Sequence, residues 1–139
     1  FAPALWSNLD RLEQRSGETG RYLQHWFAGD HGSVGGGGDI VGLSNLALLW
    51  ILEGAISEGL AFDETVLAGL AQDTDAMAPL SNQSKGPGMM SWIYFRAPRQ
   101  GVDRHQDLSE PVRLRLAYEG KSEAFTPYRP ETLKAFWPP

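Results

Sequence analysis

The stretch HWFAGDHGSVGGGGD, residues 25–39, restricts the fold of this chain more than any other: four consecutive glycines, Gly35–Gly38, separate an aromatic-rich segment from a long apolar one. Glycine loses more backbone freedom on folding than any other residue. A run of four is kept where the chain must take positive φ or lie close to neighbouring backbone. Upstream, RYLQHWFAG is short, aromatic-rich and bounded by Gly20 and Gly29, which predicts a strand over about residues 22–28. Tyr22 and Trp26 would share one face and Leu23 and Phe27 the other, as in an interior strand covered on both sides. Downstream, Ser44 is expected to cap a helix that runs to Glu58 and stops at Gly59. Its residues Leu46, Leu48, Leu49, Trp50, Ile51, Leu52 and Ile56 surround most of the circumference, so a buried helix packed between layers is expected. Asp63 is expected to cap a second, shorter helix through Leu70.

The rest of the chain is less regular. PLSNQSKGPG, residues 79–88, reads as a loop, and MMSWIYF after it as one more strand or buried turn. In PVRLRLAYEG, Arg113 and Arg115 alternate with Leu114 and Leu116, which predicts an edge hairpin with a solvated face. TPYRPETLKAFWPP is too rich in proline to be regular throughout. The order of helix, strand, glycine turn, two helices and irregular extension predicts part of an α/β layered fold. Residues 1–75 would form the core with the glycine turn, and residues 76–139 an extension packing on the same domain. The chain opens on Phe1, with the helix-like LWSNLDRLEQR following at once, so its natural N-terminus is expected to lie elsewhere.

Composition removes several classes of function. A net charge of −5 from 12 basic and 17 acidic residues offers no general attraction to nucleic acid or anionic lipid. Without cysteine there is no disulfide framework, thiol nucleophile or thiolate metal site. The longest apolar stretch, LALLWIL, is far too short to span a membrane.

Three kinds of chemistry could use the glycine turn. Phosphate binding fails on spacing: Gly37 is followed by Gly38 and Asp39, not by Lys and Ser or Thr, and G-x-G-x-x-G is met in no register. Metal binding would draw on Asp30, His31 and Asp39, but no H-E-x-x-H pair accompanies them, and aspartates beside glycine more often cap turns or helix starts. Acyl transfer fits best. In α/β-hydrolases the chain order is nucleophile, acid, then a histidine on a loop after a late strand, and His31 stands at such a place. HGSVG is only a near match to the G-x-S-x-G elbow, and Ser33 lies too close to His31 on one tight turn to present its hydroxyl to that ring. The nucleophile is therefore expected upstream of Phe1. His25 within the strand and His105 in a polar loop read as structural or solvated, and Trp50 as core. Trp92, Tyr94 and Phe95 could line a lipid-accepting pocket, although packing against the sheet is the simpler role.

WFAGDHGSVGGGG followed by LSNLALLWILEGAISEGLAFD resembles the late part of the large α/β-hydrolase-like family that includes type VI secretion phospholipase effectors. Trp26, Phe27, Gly29, His31, Val34, Gly35, Gly36 and Gly37 match its Trp-Phe-x-Gly-x-His-x-x-Val-Gly-Gly-Gly signature. FAPALW, LSEPVRLRL and YRPETL are more loosely similar to further family elements, while Ser33 and Ser109 stand where the family often has Asp and His. The resemblance implies the C-terminal portion of a three-layer α/β-hydrolase-like domain and a serine esterase or lipase-type activity, with phospholipid one candidate substrate. His31 would be the catalytic histidine, and Gly29, Gly35, Gly36, Gly37 and Gly38 would shape the turn that carries it. It further implies an ester or lipid substrate and no metal or organic cofactor. The Ser and Asp of the triad would come from an upstream part of the same polypeptide, so residues 1–139 alone would be inactive. Such a protein would stay in the cytoplasm of the producing bacterium or be delivered to a target cell. The rival expectation is a non-catalytic interaction module that keeps the hydrolase scaffold and docks a partner on its apolar surface.

Overall fold

The computed structural model describes residues 15, 17, 23–81, 102, 104–120 and 127–138. Among them are four α-helices: α1 (His31–Gly35), α2 (Gly42–Ser57), α3 (Glu64–Gln72) and α4 (Glu110–Ala117). Short 3-10 helices span His105–Asp107 and Glu131–Phe136. The expected N-terminal helix, apart from Arg15, and the MMSWIYF segment lie outside the described residues.

Two of the helix starts, those of α1 and α3, are capped by an aspartate side chain. Asp30 has extended backbone and its carboxylate accepts from the Ser33 amide, which caps α1 as expected of an aspartate beside glycine. Asp63 caps α3 through the amides of Thr65 and Val66, and the helix extends to Gln72, two residues past the expected end. α2 begins at Gly42, ahead of Ser44, so the Ser44 hydroxyl donates back to the Val41 carbonyl from inside the first turn. At its other end Gly59 takes φ +89°, the left-handed stop that the sequence predicted. A Cβ at Gly42 would come within 2.9 Å of the Asp75 Cβ and 3.0 Å of the Ala78 Cβ. That glycine lets the N-terminus of α2 lie directly against the segment after α3. The Asp75 amide donates to the Gly42 carbonyl, and the Asn45 side chain donates to the Asp73 carbonyl, which fastens the contact.

The main core lies where the two ends of the described chain meet. Ala28, Leu108, Val112, Leu116 and Leu133 are buried together, with Trp26, Val102, Tyr128, Phe136 and Trp137 packed around them. Backbone bonds set the register: the Trp26 amide donates to the Asp107 carbonyl, and the Ser109 amide donates to the Trp26 carbonyl. This makes a single parallel bridge between Trp26 and Leu108, the only β pairing among the described residues. A second buried group, Leu43, Ala47 and Ala78, sits under the start of α2.

Three expectations need correction. The predicted strand does not form over residues 23–28: among the described residues the segment pairs only through the bridge at Trp26, Ala28 lies in a bend and Leu23 is 70% exposed, so the segment is not covered on both sides. α2 is not a fully buried helix: Leu43, Ser44, Asn45 and Ala47 are buried, but Leu48, Ile51 and Ile56 are exposed, Ile51 by 59%. Its apolar residues run all round while its described neighbours cover one side at the N-terminal end. Finally, PVRLRLA is α4 and not an edge hairpin. Ser109 supplies an extended N-cap residue and Pro111 a preset φ in the first turn, a helix-starting pair that outweighs the two-residue alternation. In the helix Arg115 points inward, 2% exposed, and not to solvent. TPYRPETLKAFWPP is not regular throughout, as its prolines suggest: Pro130 precedes a 3-10 segment that is kinked at the buried Leu133.

Candidate functional site

The turn that carries His31 is held from three directions. Trp26 is tied to residues 107 and 109, which sets the direction in which the chain reaches Ala28 and Gly29. Gly29 takes φ +128°, and a Cβ there would meet the Ser33 Oγ at 2.3 Å, Val34 at 3.2 Å and Leu43 at 3.4 Å. Only glycine lets the chain double back so tightly over α1. The third tether is the Leu80 carbonyl, which accepts from the Asp30 amide at 2.9 Å and from the Ser33 hydroxyl at 2.9 Å. Asp30 and Ser33 flank His31, so one carbonyl pins both sides of it.

His31 is the first residue of α1 and is exposed. It stands on a turn whose backbone is fixed on both sides of it. The other two histidines are placed differently. His25 stacks on Trp50 with ring centroids 5.0 Å apart and 25° between planes, and His105 lies 6.1 Å from the Phe136 ring. Both pack against aromatic rings. Phe27 also meets Trp50, at 5.9 Å, so Trp50 joins α2 to the segment that leads into the turn.

Ser33 is 1% exposed, and its hydroxyl is shared between the Leu80 carbonyl and the Asp30 carbonyl at 3.1 Å. A nucleophilic serine must offer its oxygen to substrate and its proton to a base; this one gives its proton to the backbone. It is a structural member of the turn. Asp30 is likewise committed to the α1 cap, and among the described residues no three His, Asp or Glu side chains gather as a metal-binding group would require.

The glycines divide by role. Gly36 and Gly37 take φ +85° and +100°, the left-handed conformation expected of the run, whereas Gly35 closes α1 and Gly38 lies in the bend after it. A Cβ at Gly35 or Gly37 would meet nothing within 4 Å, and at Gly36 only the Ser44 Cβ at 3.9 Å. Gly36 and Gly37 therefore serve backbone direction, and a close approach of the kind expected of the run occurs at Gly29.

An open crevice of about 510 Å³ lies beside the start of α2, lined by Ile40, Val41, Gly42, Ala78, Pro79 and residues 72–75. His31 is not among its lining residues, so the crevice is not the place where that imidazole would act. Among the described residues that line it, the ionisable side chains are Asp73 and Asp75.

Two features escaped sequence reading. The Asp107 carboxylate is buried and paired at 2.9 Å with the Arg104 guanidinium. Arg115 reaches from α4 to the segment after α3, its Nε donating to the Ala76 carbonyl and its Nη2 to the Ala78 carbonyl, with its guanidinium 5.8 Å from the Tyr128 ring centroid. Burial lowers the Arg115 pKa, opposed by Tyr128 and by Asp75, and burial raises that of Tyr128, opposed by Arg115. The signal for Arg115 was the spacing Val112–Arg115–Leu116 after a Ser-Glu-Pro start, a helical face.

Residues 1–54 match the family model for the catalytic domain of Tle1-like phospholipase effectors of the type VI secretion system. Over this segment, which is less than half of its length, the chain is similar to the family that its sequence resembles. The match takes in Trp26, Gly29, His31 and the glycine run and ends within α2, and it supports a function of phospholipase type. The looser likenesses in LSEPVRLRL and YRPETL fall outside it. No curated protein and no solved structure matches the chain.

Proposed function

We propose that the chain is the histidine-bearing part of a phospholipase of the serine-hydrolase type, with an α/β-hydrolase-like domain as its scaffold. The observation that carries the reading is an exposed His31 on a turn fixed at both flanks, inside the segment matched to a phospholipase catalytic domain. His31 takes the proton of a serine hydroxyl as that oxygen attacks the ester carbonyl. It then returns the proton to the departing alcohol as the acyl carbon–oxygen bond breaks. Water repeats the cycle on the acyl-serine. Because the Ser33 hydroxyl is spent on backbone carbonyls, this reading takes another serine as the nucleophile and, with the carboxylate that orients His31, assigns it to an upstream part of the same polypeptide, as the resemblance implies. The substrate is a phospholipid ester.

The exposed apolar side chains of α2 favour the rival reading, a docking module without catalysis. One experiment separates the two. Full-length protein is treated with a serine-directed fluorophosphonate and assayed on a fluorogenic phospholipid, with and without His31→Ala. Labelling and lipid cleavage that both collapse in the variant uphold the hydrolase reading. No labelling of the unaltered protein would replace it with the docking module. Labelling lost in Ser33→Ala would move the nucleophile into this chain.

A further inference from the structure

The bonds around the turn form a line that ends on a residue the proposed reaction does not use. From α4, the buried Arg115 donates to the carbonyls of Ala76 and Ala78. Two residues further on, the Leu80 carbonyl accepts from the Asp30 amide and the Ser33 hydroxyl on either side of His31. The segment between, residues 75–80, includes Pro79 and, among the described residues, has the short bonds of one turn, the Ala78 amide donating to the Asp75 carbonyl and the Met77 amide to the Asp75 carboxylate. Its long-range anchors are Gly42 at the start of α2 and Arg115. Arg115 is fixed in turn: its neighbours Val112 and Leu116 are in the main core, and Tyr128 covers its guanidinium.

We propose that Arg115 is a positioning residue for His31, setting where the Leu80 carbonyl stands and through it the backbone on both sides of that imidazole. A guanidinium suits the task because its planar fork of N–H donors holds two carbonyls of one strap at a fixed separation, which a single ammonium cannot do. Burial removes competing water, so the carbonyls have no equal alternative partner. The catalytic meaning of this arrangement rests on the reading of His31 as the proton carrier; the positioning itself does not.

The test compares Arg115→Lys and Arg115→Met with the unaltered chain, using amide hydrogen exchange and the imidazole resonances of histidine-labelled protein. Arg115→Lys keeps charge and stem, so it preserves the fold if the Met variant does not. The expected result is local: exchange at the Asp30 amide quickens about tenfold, the scale of one lost charge-assisted hydrogen bond. The His31 resonance moves, while His25 and the α3 amides stay as they were. Ser33→Ala, which cuts the line at its far end, reproduces the His31 change without touching α4. The inference is overturned if His31 and Asp30 are unmoved in a folded Arg115→Lys protein, or if exchange quickens evenly everywhere, which would make Arg115 a core residue only. These readouts need no turnover, so a His31→Ala protein that still cleaved lipid would refute the proposed reaction and leave the positioning result standing.

Discussion

At the scale of single residues, neighbours in the turn differ sharply in what they tolerate. Gly29 combines positive φ with a neighbour at 2.3 Å from any added Cβ, so Gly29→Ala should cost at least about 2 kcal/mol. Gly35, helical and with open space about its Cβ position, should accept alanine with a gain of up to about 1 kcal/mol. Urea unfolding of the two variants checks the pair, and equal effects would refute this division of roles. His31→Ala should lower lipid hydrolysis by roughly 10²–10⁴-fold, read on a fluorogenic phospholipid, with the protein still folded. A variant that lost activity and stability together would point to a structural histidine. The sequence told these residues apart only in part. It singled out His31 and the demand for positive φ, yet assigned close packing to Gly35–Gly38, because a run of glycines does not reveal which member faces a neighbour.

Among the elements, legibility followed the locality of the cause. α3 was readable because its determinant, the Asp63 carboxylate on the Thr65 and Val66 amides, lies within three residues of the helix start. Asp63→Ala should accordingly cost about 1 kcal/mol, seen as a lower urea midpoint. α4 was misread because alternate Arg and Leu over five residues fit two periods equally well. Burial of Arg115 decided between them, and that depends on carbonyls 39 and 37 residues away. The segment before the turn was read as an interior strand but makes one bridge, and its partner there, Leu108, was not legible, since nothing local to either residue records the pairing.

For the molecule as a whole, the core joins residues before the turn to residues near the end of the chain, with Tyr128 and Arg115 at its edge. Burial raises the tyrosine pKa above its ordinary value of 10.0. The folded state then holds the phenolic proton more tightly than the unfolded chain. This contribution is complete below about pH 10 and is lost as pH rises through the folded-state value. Denaturant midpoints should fall more steeply above pH 10 in the unaltered protein than in Tyr128→Phe; parallel profiles would remove Tyr128 from the linkage. Leu108→Ala, at the fully buried centre, should cost roughly 2–5 kcal/mol by thermal or urea unfolding.

The bridge between Trp26 and Leu108 also has a consequence for biosynthesis. During translation the segment leading to His31 leaves the ribosome long before Ser109, whose amide must come back to the Trp26 carbonyl. At about 5–20 residues per second, the early part of the chain waits several seconds for that partner. The bond from the Ser109 amide to the Trp26 carbonyl closes only after every residue between them has been made.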